Sequence, residues 1–515
     1  MPNRSIDTVF QLVQSLQKAE KRAFKLYITR NSGNADLKVI QLFDAMDKLS
    51  DYDETLLLKK VPAVKKQQLS NLKAHLYKEI LSSLRLLKTD DNIDIQLHEQ
   101  LDFARILYNK GLYHQSLKIL DRLKEQARLY NQDSFLIQII SLEKKIETLH
   151  ITRSIQDRAD QLAIEANDIH EKRRVITQLS NLALQLYSWY VKNGHARNEN
   201  DEEDIKAFFR SHLPEKPFEL TGFYERLYLY QSYCWYAFIR QDFLMYYRYT
   251  QKWVDLFAEQ SFMIEIETGH YIKGLHNLLN AHFDLRNDYQ FERTLQEFEA
   301  FSETAVCQQH DNTRIQTFIY LNIARFNRHF MRGTFEEGLK MVPFIEEKLE
   351  EYHPFLDRHR ILVFYYKIAS LYFGNGNYSK AIDYVQQIIN WKVDLRNDLQ
   401  CYARLLYLMS HYELGNFEIL DSLTRSVYRF MSKMETLTKV EEHMFQFLRN
   451  TTLSPRQLRP EFQKLLDKIK GLEKNRHETR SFAYLDIISW LESKINDKPM
   501  PVVIAEKYRQ RKHRR

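Results

Sequence analysis

The chain has 515 residues, of which 44% are apolar and 28% are charged, and it contains only 12 glycines and 10 prolines. The apolar share excludes global disorder, and the scarcity of glycine and proline disfavours a fold of many strands and turns. The net charge is +7, but six lysines and arginines lie in the last nine residues, so the rest is nearly neutral. A near-neutral body argues against a broad nucleic-acid footprint, and the few helix breakers predict long helices joined by short turns.

The three cysteines, Cys234, Cys307 and Cys401, are far apart in sequence and show no CxxC spacing. They are therefore expected to be buried apolar residues rather than parts of a disulfide framework or a zinc site. The first residues contain no apolar run that is typical of a signal peptide. No window of about 18 apolar residues exists elsewhere, so we expect a cytoplasmic protein without a membrane contact.

The apolar pattern of residues 1–90 predicts an N-terminal helical module of four helices. Val9, Leu12, Leu16 and Ala23 recur at helical spacing, and similar apolar periods continue to about residue 84. Apolar residues at this spacing form one face of a helix, which a small domain buries in its core. The module is thus expected to cap one end of the chain.

An internal repeat of helical hairpins follows. Its clearest copy, YKIASLYFGNGNYSKAIDYVQQII, begins at Tyr366 and has small residues at Ala369 and Ala381 on either side of the turn glycine Gly376. A second copy, FARILYNKGLYHQSLKILDRL, begins at Phe103. The small residues let two helices approach closely, and the glycine permits a tight turn. This pattern resembles that of the tetratricopeptide (TPR) family.

Weaker copies are marked by their turn residues. Turns are predicted at Gly111, Gly194, Gln241, Asn287, Gly333, Gly376 and Gly415, and a degenerate hairpin is expected at 130–175. From Gly194 onward the turns are 39 to 47 residues apart, which is longer than the 34 residues of a TPR. The predicted fold is all-α: a right-handed α-solenoid of about eight TPR-like hairpins over residues 91–450, with helical caps at both ends.

Two stretches break this pattern, at 197–204 and at 450–460, and the second separates the repeats from a final helical region. The acidic run RNENDEED at 197–204 is interpreted as a solvated loop. Residues 451–497 are predicted to form C-terminal capping helices, because the end of a solenoid has to cover its apolar face. The basic segment 498–515 is expected to be a mobile tail.

Sequence motifs for catalysis are missing: the chain has no Gly-rich phosphate loop, no GxSxG and no HExxH. His276 and His282 are six residues apart and do not share a helix face, so they are interpreted as satisfied or exposed histidines rather than metal ligands. The carboxylates of 201–204 lack a shaping glycine and are interpreted as solvated. We expect no enzyme, and no catalytic residue, metal, cofactor or small-molecule substrate is predicted.

In TPR proteins the first helix of each hairpin lines a concave groove, and the resemblance places a set of polar and aromatic residues there. The partner-binding residues it implies are Arg105, Tyr108, Asn109, Gln231, Trp235, Asn277, Asn327, Phe330, Tyr366 and Phe373. Amides that hold main-chain groups and rings that form apolar pockets suit an extended peptide. Some TPR domains clamp a C-terminal carboxylate with Lys, Asn and Arg side chains on the first helix. The corresponding positions in the clearest copy are Tyr366, Lys367 and Ser370, and this difference counts against binding of a C-terminal carboxylate.

The last nine residues, KYRQRKHRR, resemble short arginine-rich segments that bind RNA or ribosomes. Their cations are Lys507, Arg509, Arg511, Lys512, Arg514 and Arg515. Basic termini are also common as solubilising extensions, and both interpretations stay open.

The chain as a whole is similar to a group of uncharacterised cytoplasmic proteins of about this size from Bacteroidetes bacteria. The similarity is carried by LVQSLQKAEKRAFKLY, LFDAMDKLSDYDE and SFAYLDIISWLESKI. It implies a bacterial cytosolic setting and no activity. The leading hypothesis is a non-enzymatic scaffold that binds a protein or peptide partner in its groove, and the alternative is an RNA- or ribosome-associated factor that uses the basic tail.

Overall fold

The structure, a computed structural model, describes residues 7–30, 34–88, 92–150, 157–391, 397–433, 437–449, 455–475, 477–478, 482 and 484–513. Regular structure in these ranges is helical, and no strand occurs in them. The first helices are α1 (Thr8–Ser15), α2 (Lys18–Arg30), α3 (Asn34–Asp47), α4 (Glu54–Lys60), α5 (Lys66–Leu87), α6 (Ile93–Asn109), α7 (Tyr113–Leu129), α8 (Asp133–Leu149), α9 (Arg158–Asn193) and α10 (Glu199–His212). The prediction of an all-α protein is confirmed.

The remaining helices run to the end of the described chain. They are α11 (Phe223–Ile239), α12 (Phe243–Glu259), α13 (Met263–Ile266), α14 (Thr268–Asp284), α15 (Asp288–Ser302), α16 (Ala305–Gln308), α17 (Asp311–Arg332), α18 (Phe335–Leu339), α19 (Val342–Glu351), α20 (Arg358–Gly374), α21 (Tyr378–Asn390), α22 (Asn397–Glu413), α23 (Phe417–Lys433), α24 (Lys439–Leu448), α25 (Pro455–Leu472), α26 (Ile487–Asn496) and α27 (Met500–His513), with a 3-10 helix at His353–Phe355. None of the helices described here is both long and apolar enough to cross a membrane.

The chain divides into two compact units, Met1–His170 and Glu171–Arg515. In the first unit, α1 to α5 enclose one apolar cluster and α6 to α9 contribute to a second. The N-terminal helix predicted as one continuous element ends at Ser15 and restarts at Lys18, so five helices stand where four were predicted. The predicted module boundary at residue 90 falls between the two clusters of the first unit.

Hairpin turns in both units use a left-handed residue. Of the predicted turn residues, Gly111, Gly194, Gln241, Gly333, Gly376 and Gly415 have φ between 55° and 82°. At the predicted Asn287 the left-handed residue is its neighbour Arg286, with φ 52°, so that prediction was one residue off. Glycine adopts this conformation without steric cost, which explains why glycine marked most of the turns.

The turns share a hydrogen-bond pattern that closes the preceding helix. After α20, the Asn377 N–H donates to the Tyr372 carbonyl at 2.9 Å and the Gly376 N–H donates to the Phe373 carbonyl at 3.0 Å. Equivalent pairs of bonds follow α6, α11, α14 and α22. This arrangement satisfies helix-end carbonyls and reverses the chain within a few residues. Successive helices therefore pack side by side, as α20 does on α21 and α21 on α22.

The acidic segment 197–204 is not the predicted loop. The helix α10 begins at Glu199, and the Asn198 side chain caps it by accepting a hydrogen bond from the Asp201 N–H at 2.9 Å. Carboxylates in a first helical turn complement the positive end of the helix dipole, so an acidic run suits this position. In addition, α9 continues without a break for 36 residues, where the sequence predicted the end of one hairpin and the start of another.

The basic C-terminal segment is helical rather than mobile in its described part. The helix α27 packs against α17 and α26, and its Val503 and Ile504 are buried. The expectation of a mobile tail at 498–515 is therefore wrong for residues 500–513, because the apolar run at its start covers the apolar surface of the second unit. Arg514 and Arg515 lie outside the described residues.

We expect Gly333→Ala to destabilise the protein more than Gly376→Ala. Both positions are left-handed, which costs a residue with a Cβ about 1–2 kcal/mol. A Cβ at Gly376 would meet no atom within 4 Å, whereas one at Gly333 would lie 2.5 Å from the Pro501 carbonyl oxygen. Urea denaturation of the full chain measures both costs.

As a control, the destabilisation caused by Gly333→Ala and by Gly376→Ala is also measured in a chain that ends before α27. Without residues 500–515, the excess cost of Gly333→Ala over Gly376→Ala should disappear, since the atom that the new Cβ meets is gone. Equal costs of the two substitutions in the full-length protein would contradict the packing of α27 on the turn after α17.

Candidate functional site

The second unit encloses a cavity of about 470 Å³. Side chains from α9, α11, α14, α17, α20 and α22 line it, and they come from successive hairpins whose first helices face the same space. Its size is in the range of small-molecule and peptide sites, which are concave and mostly apolar with a few polar groups.

Aromatic side chains form much of the cavity wall. Four of the predicted groove residues lie there: Trp235, Phe330, Tyr366 and Phe373. The Trp235 ring lies 5.0 Å from that of Tyr187 on α9, measured between ring centroids. These contacts hold the rings in place, so the wall is a preformed apolar surface.

The C-terminal segment supplies the remaining wall. Tyr484 stacks on Tyr402 with ring centroids 4.2 Å apart, and its carbonyl accepts a hydrogen bond from the Tyr366 hydroxyl at 3.1 Å. Further along, the Trp490 indole N–H donates to the Glu413 carboxylate at 2.6 Å. Met500 and Ile504 of the same segment also line the cavity. The chain thus closes part of this space with its own C-terminal region, which no local sequence pattern predicted.

Positive charge is in excess among the lining residues. Arg360 forms an ion pair with Asp357, with Nε and Oδ2 3.3 Å apart. Lys273, Arg286 and Lys367 also line the cavity, and no carboxylate of a described residue lies within ion-pair distance of them. The Lys273 ammonium lies 4.8 Å from the centre of the Tyr320 ring, where a cation–π contact stabilises it only in part.

A chain of hydrogen bonds runs from Lys367 to His276. The Lys367 ammonium donates to Asn327 Oδ1 at 2.7 Å, and the Asn327 amide donates to Asn280 Oδ1 at 3.4 Å. The Asn280 amide then contacts His276 Nε2 at 3.0 Å. Because a lysine ammonium can only donate, the direction of every bond in the chain is set, and His276 Nε2 has to accept.

The other ring nitrogen of His276, Nδ1, is buried and has no hydrogen-bond partner among the residues that the structure describes. Burial holds the pKa of His276 well below its ordinary value, and the nearby cations Lys273 and Lys367 lower it further. The ring is therefore neutral at pH 7 and carries its proton on Nδ1, since Nε2 accepts from Asn280. A buried N–H donor without an acceptor is costly, which makes this nitrogen a candidate contact for a ligand.

Two further groups next to this chain have shifted pKa values. Burial raises the pKa of Asp284 to about 7, against the opposing effect of Arg286 and Lys367. Burial lowers the pKa of Lys367 to about 8, against the effect of Asp284. At neutral pH the lysine is still mostly protonated while the carboxyl group is only partly ionised, so Asp284 does not cancel the positive charge.

The other predicted groove residues do not line the cavity. Gln231, Asn277 and Asn327 are buried beneath its wall, and among them Asn327 reaches it through Asn280 and Lys367. Gln231 instead pairs with His270, with Nε2 and Nδ1 3.0 Å apart. These polar side chains therefore support the lining helices.

Three more predicted groove residues, Arg105, Tyr108 and Asn109, belong to α6 in the first unit. Arg105 is exposed and bonds to Asp102 at 3.3 Å and to Gln138 at 3.2 Å. Tyr108 is half-buried beside the Tyr113 ring. They do not join the cavity of the second unit.

Part of the predicted nucleic-acid site takes part in intrachain contacts. Lys507 forms an ion pair with Glu492 at 2.6 Å and donates to Ser489 at 2.9 Å. Arg511 lies 3.9 Å from Asp288. Arg509 is exposed, whereas the side chain of Lys512 and all of Arg514 and Arg515 lie outside the described residues.

Lys273, His276 and Asn280 were missed as cavity residues because the register predicted on α14 was wrong. They recur at i, i+3 and i+7 on one face of that helix, whereas the sequence analysis selected Asn277. His276 and His282 were expected to be either satisfied or exposed. Both are buried, and neither Nδ1 has a hydrogen-bond partner within the described ranges. The helical period was available in the sequence, but the side that faces the cavity was not.

Comparisons with known proteins add no assignment. A scan of protein-family models gave no match, and a search of curated proteins found no similar sequence. Within the described part of the chain, no three His, Cys, Asp or Glu side chains are grouped as a metal site would require. Function therefore has to be inferred from the geometry of the cavity.

Acidification is expected to destabilise the fold through His282. Its side chain is 1% exposed, and burial lowers its pKa from 6.5 to about 4. Between those values the unfolded chain binds a proton that the folded chain does not, so this contribution to stability falls as pH decreases. From pH 7.5 to 5 the loss attributable to His282 is about 2 kcal/mol.

Urea denaturation of the wild type and His282→Gln at both pH values tests this. The variant should lose about 2 kcal/mol less than the wild type on acidification. Asp284 acts in the opposite direction, because its raised pKa makes stability fall as pH rises from about 4 to 7. Asp284→Asn should therefore show a larger loss on acidification than the wild type, and identical pH profiles for all three proteins would refute both assignments.

Proposed function

We propose that this protein is a non-enzymatic cytoplasmic scaffold that binds a segment of a protein partner in the cavity of the second unit. The hairpins of residues 91–450 form, in this proposal, a right-handed TPR-like solenoid whose first helices present the binding surface. The observation that carries the proposal is the convergence of aromatic and cationic side chains from six helices on one cavity.

The local structure of the hairpins supports the repeat architecture. Their left-handed turns recur in both units, and each helix packs mainly on helices that are near it in sequence. Repeat proteins have this property because each repeat contacts only its neighbours. The return of α27 to α17 departs from it and places the C-terminal segment beside the proposed binding surface.

The chemistry of the cavity suits a peptide. Rings such as Trp235 and Phe330 offer pockets for apolar side chains, and Asn280 and Ser370 offer hydrogen bonds to main-chain groups. Most of these rings are already packed against neighbours, so little side-chain entropy is lost when a ligand binds.

The alternative, an RNA- or ribosome-associated factor that uses the tail, gains no support from a specific observation. Lys507 forms an ion pair with Glu492 and donates a hydrogen bond to Ser489, and Arg511 lies beside Asp288. Phosphate contacts by these two side chains would have to replace intrachain interactions, which weakens the net attraction.

We expect a photocrosslinking amino acid in place of Trp235 to form a covalent adduct with a protein partner in living cells. Position 235 lines the cavity, so a partner segment there lies within reach of the reactive group. Mass spectrometry of the crosslinked peptide identifies the partner and the segment that enters the cavity.

The matched control places the same crosslinker at Tyr289, which is 71% exposed and does not line the cavity. Nuclease treatment before analysis should leave the adduct at position 235 intact. A protein adduct at 289 but none at 235, or an adduct at 235 that consists of nucleic acid, would refute the proposed function.

A further inference from the structure

The end of the hydrogen-bond chain defines a place for a ligand group. His276 Nδ1 has no hydrogen-bond partner in the described part of the chain. The ring stacks on Tyr320 with centroids 4.2 Å apart and is held at Nε2 by Asn280, and together these contacts fix the direction of the N–H bond. The residue is 9% exposed and lines the cavity. A buried donor in a fixed position is satisfied by an acceptor atom of a ligand.

Two cations favour an acceptor that carries negative charge. Lys273 is three residues before His276 on α14 and lies over the other partner in its stack, the Tyr320 ring, at 4.8 Å from the ring centre. Lys367 begins the hydrogen-bond chain and lies 5.4 Å from the centre of the Phe330 ring. Neither has a carboxylate of the described chain within ion-pair distance, so an anion does not have to displace a carboxylate from either of them.

Apolar side chains adjoin this polar site. Ile319 and Ile323 of α17, Val363 of α20 and Leu406 of α22 line the same cavity. They offer contact area to an uncharged group but no hydrogen bond. A ligand that fits the whole cavity therefore combines an anionic group with an aliphatic or aromatic neighbour.

We infer that the cavity binds a peptide segment in which an anionic side chain, either a carboxylate or a phosphate, adjoins an apolar residue. The anion accepts the His276 N–H bond and is attracted by the ammonium groups of Lys273 and Lys367, which line the same cavity, and the apolar residue contacts the aliphatic wall. This inference rests on the proposed function and specifies the partner that the scaffold recognises.

A peptide fits these features better than single-stranded nucleic acid. Nucleic acids are bound along a groove with a cation for each of several phosphates and with free aromatic faces for the bases. Here Lys273 and Lys367 line one cavity with the buried donor of His276 rather than a long groove, and Tyr320 is already covered by His276 and Lys273. The C-terminal segment also forms one wall, which limits the length of chain that enters.

Three pools of fluorescein-labelled, terminally blocked heptapeptides test the inference on the full-length protein. The pools share degenerate apolar residues beside a central position, which is glutamate, phosphoserine or glutamine. Fluorescence anisotropy should show that the glutamate or the phosphoserine pool binds at least about tenfold more tightly than the glutamine pool, as expected for a charge-assisted hydrogen bond. The first two pools distinguish a carboxylate from a phosphate.

Substitutions locate the binding. Lys273→Met and His276→Phe should each weaken binding of the preferred anionic pool by about tenfold or more. Lys340→Met removes an exposed lysine outside the cavity and should leave binding unchanged. Circular dichroism and the thermal midpoint verify the fold of each variant, and Lys273→Met carries the test if His276→Phe misfolds.

Four results would overturn the inference. Equal binding of all three pools would show that the negative charge is not recognised. Binding of the anionic pools that Lys273→Met does not weaken would show that the charge is not recognised in this cavity. In either case, a crosslinked protein adduct at position 235 would still support the proposed function. Binding of a single-stranded octanucleotide that depends on Lys273 would instead assign the site to nucleic acid. If no pool binds, the peptide chemistry is wrong, and the crosslinking result decides separately whether a protein partner exists.

Discussion

The left-handed turn that ends each hairpin's first helix is the constraint from which the arrangement of the second unit follows. In the turn at Gly376, two backbone N–H groups donate hydrogen bonds to the last carbonyls of α20, and α21 begins directly after the turn. The loop is too short for the next helix to pack anywhere except against its predecessor. Repetition of this geometry brings the first helices of successive hairpins to one cavity, which is how residues as distant as Tyr187 and Met409 share a wall.

The C-terminal segment shows why charge composition alone misled the prediction of a mobile tail. Six cations in nine residues are typical of solvated termini, and their partners cannot be recognised locally. In the fold, Glu492 and Asp288 lie beside Lys507 and Arg511, and Ile504 is buried. The apolar residues at the start of α27 attach the helix, and the charges then pair with acids at its edge.

The hydrogen-bond chain from Lys367 to His276 determines which polar atom at the cavity lacks a partner. Buried polar groups are costly unless each is satisfied, and three hydrogen bonds link the four side chains in this series. The Lys367 ammonium can only donate, and this determines which atom donates and which accepts in each of the three hydrogen bonds. The unsatisfied N–H is consequently at the other end, on a residue that lines the cavity, and an acceptor atom of a ligand would complete the network. The cavity is a candidate site because one of its lining residues carries a buried donor that has no partner among the described residues.

By itself, the sequence determined what depends on local geometry. Helical periods and the turn glycines were predicted, because spacing along a helix and a positive φ leave a trace in neighbouring residues. The aromatic positions Trp235, Phe330, Tyr366 and Phe373 were implied by the resemblance to TPR hairpins, and they line the cavity. The tertiary structure decided what depends on contacts between distant segments. The rotation of α14, which places His276 rather than Asn277 at the cavity, follows from packing against α12 and α17. Closure by Tyr484 and α27 and the shifted pKa of Asp284 likewise require side chains that lie far apart in the chain.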